Sequence, residues 1–159
     1  MMRSITIFLI LITIIVPSFL SAQSANRSYF IGENQEEYHE LIQTHSASLL
    51  EVCDNSMTKS YEHWSSLMKD IEEFCLQNAF DIKGVKLWIN GFWDNDGKLV
   101  HLVFYNKPNS KQMNYDQLRI LLDQFISNGY YGKEFNNPYA HYGSISFPIF
   151  SPASMAVEK

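Results

Sequence analysis

The chain has 159 residues, with 12 Lys and Arg against 17 Asp and Glu, for a formal net charge of −5. That length fits a single domain, and an acidic balance without a basic stripe excludes a nucleic-acid groove. Aromatic residues make up 14% of the chain, enough to build a real core.

The N-terminus reads as a targeting segment. Met1-Met2-Arg3 gives a short basic start, and Ile5 to Val16 is apolar apart from Thr6 and Thr13. Pro17 to Ala22 then supplies a helix breaker and a small-residue ending. This is the pattern of a secretory signal peptide, residues 1–22, cleaved after Ala22 to leave Gln23 as the first mature residue. The apolar run is shorter than the roughly 20 residues that cross a bilayer, so no stable membrane insertion is expected after cleavage. Cleavage removes Arg3 and no acidic residue, making the mature chain more acidic by one charge. Residues 23–33 are polar and unpatterned and read as a flexible lead-in, with an Asn26-Arg27-Ser28 sequon that matters only in a eukaryotic secretory route.

Residues 34–159 read as one α+β domain that opens with a helical pair over 34–80. Asn34 with Glu37 forms an expected capping box. Tyr38, Leu41, Ile42, His45, Leu49, Val52 and Cys53 then recur at helical spacing. Asp54-Asn55-Ser56 breaks the pattern, and a second helix runs over about 58–78 with Tyr61, Trp64, Met68, Ile71 and Cys75 on its stripe. Folded back as a hairpin, the pair would hold Cys53 and Cys75 roughly 20 Å apart. A bridge needs Cα atoms within about 7 Å. Two buried thiols are expected.

From Val85 the hydrophobic period changes to two. Val85, Leu87, Ile89, Gly91 and Trp93 alternate with Lys86, Trp88, Asn90 and Phe92, and Leu99 to Tyr105 is a second strand. Asp94-Asn95-Asp96-Gly97 between them superficially resembles a calcium loop. With Gly97 at the sixth position of such a loop, the first and twelfth fall on Phe92 and Val103, which offer no ligand. The motif is therefore a turn, with Gly97 at positive φ. A two- or four-residue connection sets Ile89 opposite Phe104 and Trp93 opposite Val100, with Val100, Leu102 and Phe104 on the apolar face. A three-residue bulged loop would instead flip one strand and bring His101 and Tyr105 inward. Burial of apolar area favours the first register.

A third helix begins at Asn114, capped with Gln117, and stops at Gly129; its stripe is Leu118, Leu121, Leu122, Phe125 and Ile126. An aromatic loop, 130–143, leads to a last strand, Ser144 to Phe150. Pro148 cannot donate to a ladder, which puts that strand at a sheet edge. The expected order is ααββαβ.

Few residues suggest chemistry. His39-Glu40-Leu41-Ile42-Gln43 misses the second imidazole of a zinc-binding helix and reads as a solvated face. His45 sits on an apolar stripe and reads as packed or capped. Cys53 and Cys75 lie on apolar stripes, unsuited to an exposed thiolate. No cofactor or metal is expected. Trp88, Phe92, His101 and Tyr105 share the wetter sheet face and form a candidate ligand patch, with His101 as its polar group.

Three stretches carry a resemblance: KGVKLWINGFWDNDGKLVHLVF, NYDQLRILLDQF and SISFPIF. Together, over residues 84–150, they resemble the C-terminal domain of TonB-type energy transducers. The resemblance implies a ββαβ unit in a Gram-negative periplasm that grips an extended segment of an outer-membrane receptor by strand addition. Carried onto this chain, the gripping edge is Ser144, Ile145, Ser146 and Phe147. A proline-rich spacer is missing, the N-terminal segment looks cleavable, and a helical pair stands where the spacer would be. The expectation is an exported, non-enzymatic protein-binding module, periplasmic or otherwise secreted, without energy transduction. The alternative is a small-ligand-binding protein or enzyme using the aromatic patch.

Overall fold

Helical periodicity from Tyr38 to Cys53 is interrupted after Thr44, and that interruption decides the architecture. The computed structural model describes residues 26–149, so the expected signal segment, the Gln23 start and Phe150 lie outside the described residues. Among the described residues the elements are β1 (Ser28–Phe30), α1 (Gln35–Thr44), β2 (Ala47–Ser48), α2 (Leu49–Val52), α3 (Met57–Gln77), β3 (Lys86–Trp93), β4 (Leu99–Asn106), α4 (Tyr115–Ser127) and β5 (Tyr139–Ser146). This is an α+β fold with an open five-stranded mixed sheet in the order β1-β4-β3-β5-β2.

The expected helical pair is not a hairpin. Thr44 turns its hydroxyl back onto the Glu40 carbonyl, and the His45 imidazole onto that of Leu41, closing α1. Ala47 and Ser48 then join the sheet beside Tyr139 and Ala140. Ser48 starts α2 with a full capping box, its hydroxyl accepting from Glu51 N while Glu51 accepts from Ser48 N. Passing through the sheet edge puts α1 on one face and α3 on the other. Asn34 differs from expectation too: it is left-handed at φ +46° and makes no side-chain cap.

The segment 23–33 is not wholly a lead-in. Ser28 to Phe30 lies parallel to β4, with Ser28 opposite Leu102 and Phe30 opposite Phe104. Arg27 O accepts from Leu102 N, and Arg27 N donates to Asp123 of α4.

The larger core lies between the sheet and α3 with α4. Leu67, Met68, Ile71 and Cys75 from α3 meet Leu118, Leu122, Phe125 and Ile126 from α4 over Leu87, Ile89, Leu102 and Phe104. Each of these large apolar side chains, once buried, contributes about 1.5–3 kcal/mol. The smaller core is under α1, where Leu41 and Tyr38 cover Phe92, Val103, Ala140 and Tyr29.

The β3–β4 turn combines both readings of its length. Gly97 N donates to Asp94 O, Asp94 N donates to Lys98 O, and Gly97 stands at φ +79°, a three-residue bulged loop. A second irregularity follows between Phe92 and Trp93, so that Trp93 faces Leu99 rather than Val100. Two single-residue shifts cancel, and Ile89 lies opposite Phe104 as expected. Val100 is the residue displaced: it packs under α1, and Leu99 takes its place in the larger core.

Both cysteines are free and buried. Desolvation pushes the Cys75 thiol up to about 12. A thiol reagent at neutral pH should therefore label neither residue until denaturant is added; stoichiometric labelling of the native protein within minutes would contradict this burial.

Candidate functional site

The last strand begins earlier than its sequence suggests, and this creates the site. β5 pairs antiparallel with β3 over its whole length, from Tyr139 opposite Trp93 to Ser146 opposite Lys86. On its other side β2 covers only Tyr139 and Ala140. Among the described residues, that side of the strand is an open edge from His141 to Ser146. Phe147 N donates to Val85 O and Phe147 O accepts from Gly84 N, so Phe147 bonds inward. Along an antiparallel strand alternate residues bond to the same neighbour. Ile145, Gly143 and His141 thus bond toward β3, while Ser146, Ser144 and Tyr142 aim N–H and C=O outward.

Of the four expected edge residues, Ser144 and Ser146 present outward backbone groups. Ile145 contributes its side chain to the groove wall. Phe147 does not belong to the edge: its backbone is used inward and its side chain is buried in the core. Tyr142, left in a loop by the sequence reading, takes its place.

A groove runs beside this edge on the α3 side. One section, about 360 Å³, is lined by Tyr61, Trp64 and Ser65 of α3 and by Gly143, Ile145 and Pro148. A second section, about 310 Å³, continues between Leu50, Met57, Tyr61, Trp64 and His141. Trp64 forms the shared floor. Its ring packs on His141 at 4.5 Å and fills the space left by Gly143, where a Cβ would stand 2.9 Å from the indole. Met57 and Tyr61 on the rim are 71% and 59% exposed, unusual for large apolar side chains unless something covers them.

The aromatic patch of the other face divides in two. Phe92 is buried under α1 against Tyr38 and His45. His101 lies under the same helix, its Nε2 donating to Glu37 Oε1 at 3.2 Å, with desolvation holding its pKa below the usual imidazole value. Phe92 does not reach solvent, and the His101 side chain is left only 16% exposed. Trp88 and Tyr105 remain outside, stacked at 6.4 Å, with Lys107 Nζ 5.7 Å above the Trp88 ring.

One polar cluster escaped the sequence reading. His63 of α3 sits against Trp93, Phe135 and Tyr139, and the Tyr139 hydroxyl accepts from His63 Nε2 and donates to the Lys133 carbonyl, both at 3.2 Å. Burial, then the nearby positive charge of His141 and Lys133, pushes His63 down to about 4. The cluster clamps the 131–138 loop onto α3. His39 is exposed and accepts from Gln43, while the turn carboxylate Asp96 accepts from Lys98 N. Among the described residues no helix is long and apolar enough to cross a membrane. Comparisons with protein-family models, curated proteins and solved structures find no match.

Proposed function

We propose that this protein is an exported, non-enzymatic binding module that captures an extended segment of a partner protein by adding it as a strand to the open edge of β5. In this reading the module resembles TonB-type C-terminal domains in its strand-adding edge and acts without energy transduction. The observation that carries it is the outward side of Tyr142, Ser144 and Ser146, unpaired among the described residues, beside a largely apolar groove. Unpaired N–H and C=O groups template an incoming strand, and pockets for alternate side chains add selectivity. The small-ligand reading is weaker, because Phe92 is buried under α1 and the partly exposed His101 is already engaged by Glu37.

Ser144→Pro tests the proposal. Proline removes an N–H that points outward and leaves the ladder to β3 intact, so the fold should lose no more than about 1 kcal/mol. Partner capture from envelope or secretion extracts, read by pull-down and mass spectrometry, should fall to background. His101→Ala should retain it. Undiminished capture by a folded Ser144→Pro protein would sink the edge reading.

A further inference from the structure

Side chains directly opposite one another in a sheet point to the same face. A strand added to β5 therefore sends every second side chain, those opposite His141, Gly143 and Ile145, into the groove floored by Trp64. The intervening side chains, opposite Tyr142, Ser144 and Ser146, emerge on the other face. The two sides of the edge differ in chemistry. The groove side is uncharged and mostly apolar: Tyr61, Trp64, Ile145 and Pro148 line it with Ser65 and His141, and no Asp, Glu, Lys or Arg among the described residues does.

The opposite side is basic. Lys107 reaches across β3, its Nζ donating to the Ser144 hydroxyl while lying over Trp88. Lys86 is the cross-strand partner of Ser146 and alternates to the same face as Trp88. Among the described residues neither lysine is within ion-pairing distance of a carboxylate, although the chain as a whole is acidic. The Lys107 ammonium therefore sits, and the Lys86 side chain is rooted, on the face where the outward-facing side chains of an added strand would arrive.

We infer that the captured segment is alternately apolar and acidic, its apolar side chains seated on Trp64 and Tyr61 and its carboxylates meeting Lys107 and Lys86. This rests on the edge-addition reading and specifies the partner's sequence pattern. An apolar residue opposite Gly143 meets no side chain on β5 and rests on the indole itself. A carboxylate opposite Ser144 takes over the Lys107 ammonium from that hydroxyl.

The probes are end-blocked, fluorescently labelled hexapeptides: alternating Leu and Glu, alternating Leu and Lys, and the Leu and Glu residues in two blocks. Fluorescence anisotropy should show the Leu-Glu alternation binding the wild-type protein about fivefold more tightly than the Leu-Lys one, as for a partly exposed ion pair. Lys107→Glu, a surface change that leaves the core untouched, should reverse that order. Tyr61→Ser should weaken both alternating peptides, and the block peptide should bind less tightly than its alternating isomer. Equal affinity for the two alternating peptides, a preference that Lys107→Glu does not move, or no binding by any peptide would overturn the inference. The edge reading fails separately, if the Leu-Glu peptide binds Ser144→Pro protein as tightly as wild type. If Ser144→Pro abolishes partner capture while peptide charge is immaterial, the edge stands and only the acidic pattern falls.

Discussion

Gly97→Val should destabilise the protein by about 3–4 kcal/mol, read as a fall in the urea midpoint without a change in slope. Two independent penalties act. A β-branched residue at φ +79° is strained by about 1–3 kcal/mol. Its Cβ would also stand 2.9 Å from Gly132 O and from the backbone of Lys133, which crosses directly over the turn. Gly132 N donates to Gly97 O, and Phe135 N donates to Asn95 O, so that crossing segment cannot simply retreat. Overpacking of this kind costs about 1–3 kcal/mol. Asp96→Asn keeps the oxygen that accepts from Lys98 N and should be nearly neutral. A Gly97→Val loss below about 1 kcal/mol would mean that the turn and the loop over it are loosely held.

Stability should fall by about 2 kcal/mol between pH 7.5 and 5, approaching 3 near pH 4, from His63 alone. His63 is held at about 4 in the folded protein, against about 6.5 for a free imidazole, chiefly through desolvation. The unfolded chain therefore binds the proton first. The contribution is fully present above pH 6.5 and is lost as pH falls toward 4. His101 and His141, both lowered by desolvation, act in the same direction. Urea titrations at the two pH values measure the loss. His63→Gln keeps a donor for Tyr139 and removes the titration, so the difference between pH 7.5 and 5 should shrink by about 2 kcal/mol. An unchanged difference would show that carboxylates, not this imidazole, set the acid limit.

The parts legible in the sequence are those whose signal is local. The α4 stripe from Leu118 to Ile126 is buried as its spacing predicts, and Gly129 ends the helix at φ +81°. Pro148 lies beyond the end of β5 at Ser146, and that strand is an edge only past Ala140, where β2 stops. Apart from the absent Asn34 cap and the bulged turn, the failures involve contacts between distant segments. Ser28 to Phe30 is too short to show a period, and its pairing with β4 is parallel and remote. Tyr139 to Gly143 reads as a loop because aromatic, histidine and glycine residues obscure the alternation that continues through Ile145. The break after Thr44 did leave a trace, the Ser48 to Glu51 capping box, which the apolar spacing across it overrode. The Trp93 register could not be read because two bulges of opposite effect cancel. At the site, the open edge follows from β2 being only two residues long, and the groove needs α3 beside β5; no pattern within these segments announces either.

The parallel pairing of β1 with β4 also carries a kinetic consequence. A chain made or exported N-terminus first releases Ser28 to Phe30 long before Leu102 to Phe104 can meet them, with α1 to β3 in between. The β3–β4 hairpin closes locally through Asp94 to Gly97 and can form in microseconds. β1 must wait for a finished hairpin, so its docking is a late, non-local step that slows folding. Until it docks, the outer side of β4 stays exposed to any neighbouring chain. A crowded compartment should therefore select for rapid completion of this step, and mutations in β1 should lower the yield of folded protein more than the stability of what does fold.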